Sequence, residues 1–254
     1  LERIRYQFDT VKPDFVIVSH ASNAFGLIAP VEDIFALAKK YDAITLVDMA
    51  QTAGLVDLNV GLSTIDFAVF AGHKTMYGPT GISGFVMNSA VKFPAVIFGG
   101  TGYESADQNM PEDLPQKYEM GTLNIAGIAG LNAALEWSAQ ITVNVIREKE
   151  AENRKRLIDL LGRYSYIKII GNYDSCSYVG IVSCIIEGIS SDSAGPVFDR
   201  CGIAVRTGLQ CAPLAHKFMG TFPAGTIRFS VNYFTTDDDF AELEEALDYI
   251  DSEL

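Results

Sequence analysis

The sequence predicts an α/β fold: a mostly parallel sheet in a large domain, followed by a smaller α+β domain. Three observations carry this. Short apolar runs alternate with stretches of helical pattern. The runs are continuous and lack the polar alternation of a sheet wetted on one side. The residues with chemistry to offer fall just past the ends of the runs. Continuous apolar strands separated by helices imply a parallel sheet covered on both faces. Ligands of such sheets bind beyond the carboxyl ends of the strands.

The elements follow in order. "DFVIVS" (14–19) is a buried strand. "PVEDIFALAKKYD" (30–42) places Pro at a helix start, acids early and lysines late, which suits the helix dipole. "ITLVD" (44–48), "FAVFAG" (67–72) and "GFVMN" (84–88) are the next strands. The stretch 93–124 is rich in Gly and Pro and has little periodicity, so it is expected to be a long functional loop. Helices are expected over 126–140 and 145–163. The smaller domain then has strands near 166–170 and 178–186, a helix after Ser190, the loop "RTGLQCAPLAH" and the strand "TIRFSV". An acidic helix (236–252) closes the chain. The expected domains are 1–140 and 141–254.

Composition narrows the function classes. The 254 residues are 48% hydrophobic and 20% charged, as in an ordinary globular protein. A formal net charge of −13 argues against nucleic acid or an anionic membrane as partner, since both need clustered Lys and Arg. No apolar run approaches the roughly 20 residues of a membrane span. The opening "LERIRYQFDTVKPDF" has neither a signal-peptide shape nor an obvious helix cap. Cys176, Cys184, Cys201 and Cys211 form no C-x-x-C pair, and Cys184 in "IVSCII" reads as a packing residue. A reducing cytoplasm is expected. His20, His73 and His216 are far apart and no H-E-x-x-H occurs, so no metal is expected.

The chemistry centres on Lys74. It follows the strand 67–72 and precedes Gly78, Pro79, Gly81 and Gly84. Such a lysine holds a phosphate, forms a Schiff base with a carbonyl cofactor, or lies on the surface. A phosphate-loop NTPase is excluded, because G-x-x-x-x-G-K-[ST] is missing. The Schiff-base reading needs an acid facing the cofactor's ring nitrogen. Asp48, at the end of the preceding strand, is the candidate; its other reading is a cap on the turn that follows.

"VDMAQTAG" followed by "DFAVFAGHKTMYGPTGISGF" resembles the pyridoxal-phosphate site of class V aminotransferase-fold enzymes, most closely the cysteine desulfurases and selenocysteine lyases. "SHASNAFG", "KYEMGTLN", "RTGLQCAPLAH" and "TIRFSVNYFTTDDD" resemble further segments of the family in family order, across the whole chain. The resemblance implies a fold type I pyridoxal-phosphate enzyme. It implies that Lys74 bonds the cofactor aldehyde and later shuttles the substrate's α-proton. Asp48 pairs with the ring nitrogen, Gln51 bonds the phenolic oxygen, and His73 contacts the phosphate. Asn23 lies beside cofactor and substrate carboxylate. Arg228 forks onto that carboxylate and Arg206 lines the same cavity. Cys211 attacks the sulfur or selenium of cysteine or selenocysteine. A thiolate is the nucleophile, and Arg206 and His216, five residues to either side, are the candidate cations beside it. "GGTGYES" (99–105) resembles a loop that reaches the neighbouring subunit's phosphate site, which makes Thr101 a cofactor contact and the protein a homodimer.

Two departures qualify the match. Family members carry Ser two residues before His-Lys, where this chain has Ala71, followed by Gly72. Members also begin with a long segment bearing a phosphate-binding turn, so the chain resembles the C-terminal portion of a member, with part of the large domain absent. The expected function is a cysteine desulfurase that yields alanine and a Cys211 persulfide, with a protein as a possible sulfur acceptor. Selenocysteine lyase, class V aminotransferase and a catalytically silent fragment are the alternatives.

Overall fold

The computed structural model describes residues 1–103 and 106–253. Two four-stranded sheets organise the chain. The first has the order β1 (Phe15–Ser19), β2 (Ile44–Asp48), β3 (Phe67–Ala71) and β4 (Ser83–Met87). Its first three strands are parallel, and β4 returns antiparallel to β3. Helix α1 (Glu2–Val11) precedes it and α2 (Val31–Ala38) crosses between β1 and β2. Val16, Val47 and Ala68 alternate onto one sheet face, where they pack with Ile34 and Phe35 of α2. The period of two in a strand puts these positions on the same side.

The other face departs from the expected two-sided cover. Phe15, Ile17 and Phe85 are exposed there. Phe15, Leu46, Phe67 and Phe85 line an apolar groove of about 400 Å³ that segment 93–97 and Tyr118 border. Among the described residues no α-helix lines that groove; a single 3-10 turn, Gln116–Tyr118, borders it. The apolar runs fit a sheet meant to be covered on both sides, and this chain supplies one layer of helix.

Helices α3 (Ile125–Ile141) and α4 (Val143–Leu161) meet at Thr142, whose φ is 75°. Asn124 caps α3 by accepting from the Gly127 amide at 3.0 Å. The second sheet has the order β5 (Ile167–Ile170), β6 (Ile181–Ile186), β8 (Thr226–Ser230) and β7 (Arg206–Gly208), all antiparallel. Its core joins Val182, Cys184, Ile186 and Phe229 to Leu157 and Leu161 of α4, Phe198 of α5 (Ser191–Arg200) and Leu247 of α7 (Asp237–Glu253). Burial pushes the Cys184 thiol up to about 12, in keeping with a packing role.

Three elements lie outside the expectations from sequence. Helix α1 lacks a side-chain cap and buries none of its own residues fully, so it has no strong start signal and only a weak apolar stripe. Ile4 and Phe8 rest against the α2 core. Strand β7 and helix α6 (Pro213–Met219) fall inside the expected loop 206–216. Both are too short for a periodic signal, although Pro213 at the first turn is an ordinary helix opening. Strand β6 starts at Ile181 rather than 178, because the residues before it bridge elsewhere: Tyr178 pairs with Leu27.

That bridge fixes the junction between the sheets. The chain after β1 loops out through residues 20–28 and docks on the start of β6. The Val179 amide donates to the Gly26 carbonyl at 2.9 Å, and Ser183 Oγ donates to the Ala24 carbonyl. Gly26 has φ 73°, and a Cβ there would lie 2.8 Å from the Ile181 carbonyl oxygen. No other residue meets both conditions without strain. No described helix is long and apolar enough to cross a membrane.

Candidate active site

The lysine turn begins where β3 ends. The Gly78 amide donates to the Gly72 carbonyl at 2.7 Å and the Tyr77 amide to the Lys74 carbonyl at 2.9 Å, which closes a tight loop with Lys74 at its outer rim. A Cβ on Gly78 would stand 2.8 Å from the Gly72 oxygen, so glycine is required for the return. Tyr77, at φ 57°, is held edge-on to Trp137 of α3 and to Phe234 after β8. The turn is therefore anchored by α3 and by the segment after β8.

Gln51, His73, Lys74 and Arg228 share one cavity of about 440 Å³, together with Tyr77, Glu150 and Gly180. His73 and Lys74 are exposed to it. Asp48 ends β2 in register with Val69 of β3, beside this turn. One of its carboxylate oxygens accepts from the Ala50 amide at 2.9 Å, so the capping role and a cofactor role fall on the same group. His20 lies at the same strand-end level; its backbone amide donates to the Asp48 carbonyl. Its ring is buried with Nδ1 2.9 Å from Thr52 Oγ1, and burial lowers its pKa.

Arg228 is the electrostatic centre of the cavity wall. Nη1 donates to the Asn23 carbonyl at 2.8 Å, while the buried Nε has no partner among the described residues. Burial, and then the charge of Arg206 directly across the β7–β8 pair, lower its pKa. Asn23 in turn donates through Nδ2 to the Gln210 carbonyl at 2.6 Å. The structure thus brings Asn23, Arg206 and Arg228 together beside Gln51, His73 and Lys74.

Cys211 is exposed at φ 60°, immediately after Gln210 at φ 43°. It does not line the lysine cavity. Its loop is held from below by Gln210, which is buried and bonds the Thr226 carbonyl at 3.1 Å and His216 Nε2 at 2.9 Å. This removes His216 as a cation for the thiol. His216 is fully buried, Nδ1 meets Thr221 Oγ1 at 2.7 Å, and burial lowers its pKa. Arg206 stays exposed.

Thr101 is not brought to the cavity. Its hydroxyl bonds within its own loop, to the carbonyl and amide of Tyr103, at 3.2 Å each. Glu104 and Ser105, the last residues of "GGTGYES", lie outside the described residues. Ala71 sits in β3 opposite Ser83, and a Cβ on Gly72 would meet Ile82 at 3.0 Å, so neither position offers the family's hydroxyl.

Two functional residues had no readable sequence signal. Gln210 is one neighbour of the cysteine among several, and only the fold shows that it carries the loop. Glu150 lies on α4, among the charges of "REKEAENRKR", where a solvated face is the natural reading. It is instead buried, and its Oε1 accepts from the Gly180 amide at 2.6 Å.

The cavity's donor set suits pyridoxal phosphate and an α-amino acid. A primary amine for the aldehyde and an arginine with a vacant buried N–H for a carboxylate line it, and the acid Asp48 ends the neighbouring strand without lining it. An unpartnered buried donor costs about 1–3 kcal/mol, which a bound carboxylate would offset.

Comparison with known proteins places the chain in a family. The chain is 33% identical over 241 residues to a probable cysteine desulfurase of Methanothermobacter thermautotrophicus, covering 92% of this chain and 60% of that protein. A probable cysteine desulfurase of Halalkalibacterium halodurans is also 33% identical, with 93% and 58% covered. Among solved structures, the apo cysteine desulfurase of Thermococcus onnurineus matches with a TM-score of 0.88 at 28% identity, over 100% of this chain and 63% of that one. Escherichia coli CsdA matches with a TM-score of 0.85 at 25% identity. The chain therefore spans about 60% of the length of the curated relatives named here. The family model for class V aminotransferases matches residues 3–243. With these residues, this topology and this lysine cavity, the chain belongs to the class V aminotransferase family.

Proposed function

We propose that this chain carries the lysine, substrate-carboxylate and sulfur-accepting parts of a pyridoxal-phosphate-dependent cysteine desulfurase. The observation that carries the proposal is the buried, unpartnered Nε of Arg228 in the same cavity as Lys74. When bound, pyridoxal phosphate supplies an electron sink for the substrate's α-carbon. Lys74 would hold the cofactor's aldehyde through Nζ and is placed to move the substrate's α-proton. Asp48 would face the ring nitrogen, Gln51 the phenolic oxygen and His73 the phosphate. Arg228 binds the substrate carboxylate, with Asn23 and Arg206 beside it. Cys211 Sγ attacks the substrate sulfur: the S–S bond forms, the C–S bond breaks, and its electron pair takes a proton at Cβ to leave alanine.

The finer assignments rest on the same basis. Residues 1–140 form part of the cofactor domain and 141–254 the smaller domain. Thr101 serves the neighbouring subunit of a homodimer, and a protein accepts the sulfur from Cys211. The four free cysteines suit a reducing cytoplasm. The test is incubation of the full-length protein with pyridoxal phosphate and cysteine. Alanine and persulfide sulfur in equal amounts are expected; cofactor-loaded protein that forms no alanine would overturn the reading.

A further inference from the structure

The buried carboxyl of Glu150 has no place in the chemistry above. It stands between two cavities. One is the lysine cavity, and the other is a space of about 420 Å³ bordered by Arg147, Arg154 and Tyr178. Its Oε1 accepts the Gly180 amide at 2.6 Å, and the Gly180 carbonyl accepts the Val231 amide at 2.8 Å. Val231 directly follows β8, the strand that carries Arg228. A Cβ on Gly180 would stand 2.1 Å from the Val231 oxygen and 2.7 Å from Glu150 Cγ, so the three segments touch at this point.

We propose that Glu150 is a positioning residue of the lysine cavity: its carboxylate clamps the Gly180 amide and thereby sets the entry of β6 and the end of β8 that presents Arg228. This rests on the lysine cavity being the substrate site. Burial pushes the carboxyl up to about 7, and the Gly180 N–H draws it partly back. The two cavities beside it are lined by Arg147, Arg154, Lys155 and Asp174 on one side and by His73, Lys74 and Arg228 on the other. Tyr77, Tyr173, Tyr178 and Cys176 are the further titratable groups of these linings, and burial, then the charge of Glu150, raise the Tyr77 phenol. A charged acceptor binds an amide more strongly than a neutral one, so the clamp tightens as Glu150 ionises.

The experiment uses the full-length, cofactor-loaded protein with its glycine nitrogens labelled. The Gly180 amide resonance is expected to titrate with a midpoint at about 7. In Glu150→Gln, which keeps an acceptor oxygen and loses the proton, it should stay flat. Glu150→Ala should raise KM for cysteine about tenfold, the value of one hydrogen bond to a charged group. Glu150→Gln should recover part of that loss, with a KM that no longer varies with pH around neutrality. A Gly180 amide that does not titrate in the wild-type protein, one that titrates unchanged in Glu150→Gln, or a KM unmoved in Glu150→Ala would each overturn the proposal. A normal Gly180 titration in protein whose Lys74 takes no cofactor would uphold the clamp and refute the cofactor reading instead.

Discussion

In the proposed function, Lys74 and Cys211 divide the chemistry, and single substitutions separate them. Lys74→Ala in the full-length protein should abolish covalent cofactor attachment, measured by borohydride reduction followed by peptide mapping. Label found on another lysine would refute the assignment. Cys211→Ser should keep the yellow cofactor-bound form and cut sulfide release from cysteine by at least about tenfold, since no other nucleophile replaces the thiol. Undiminished release would remove the persulfide step. Arg228→Lys retains charge but loses the planar fork and the Nε donor, so KM for cysteine should rise about tenfold while Lys74 still takes the cofactor. The sequence carries these assignments through its resemblance to the family, and the placement of Lys74 just past β3 through the strand pattern alone.

At the scale of elements, the cysteine loop depends on Gln210. Its amide joins β7, β8 and α6 by bonding the carbonyls of Arg206 and Thr226 and the ring of His216. Gln210→Ala leaves His216 Nε2 buried without its partner, at a cost of about 1–3 kcal/mol. The denaturant midpoint should fall accordingly, and sulfide release should fall with it while cofactor attachment persists. An unchanged midpoint would show that the loop is held elsewhere. None of this was readable from "TGLQCAP". A glutamine beside a cysteine has no periodicity, and its partners come from three separate elements.

Over the whole molecule, two features set behaviour in solution. The uncovered sheet face, with Phe15, Ile17 and Phe85 exposed, makes these 254 residues prone to associate when expressed alone. Light scattering should show concentration-dependent association, weakened by Ile17→Lys; a strictly monomeric chain would contradict this. The second feature is Glu150. Between the ordinary value of 4.5 and about 7 the folded chain holds a proton that the unfolded chain has released. Its contribution is therefore complete below 4.5 and is lost as pH rises through about 7. The shift amounts to about 3 kcal/mol at 1.36 kcal/mol per pH unit. Denaturation midpoints measured across this range should lose that slope in Glu150→Gln, and a slope that survives would place the titration on another group.

The sequence by itself determined the strands of the first sheet, helix α2 between the first two of them and the lysine turn. It also placed Asp48, Gln51 and His73 near Lys74. All of these depend on patterns within a few residues: a continuous apolar run sets a buried strand, and the next residues occupy its carboxyl end. The tertiary structure decided which groups lose their water and which distant backbones meet. Arg228 finds the Asn23 carbonyl 205 residues away, and Glu150 finds the Gly180 amide 30 residues away. The pKa of His216 is lowered by burial that no local pattern records. Desolvation and long-range hydrogen bonds belong to the packed molecule, because each depends on what the other half of the chain brings to the same place.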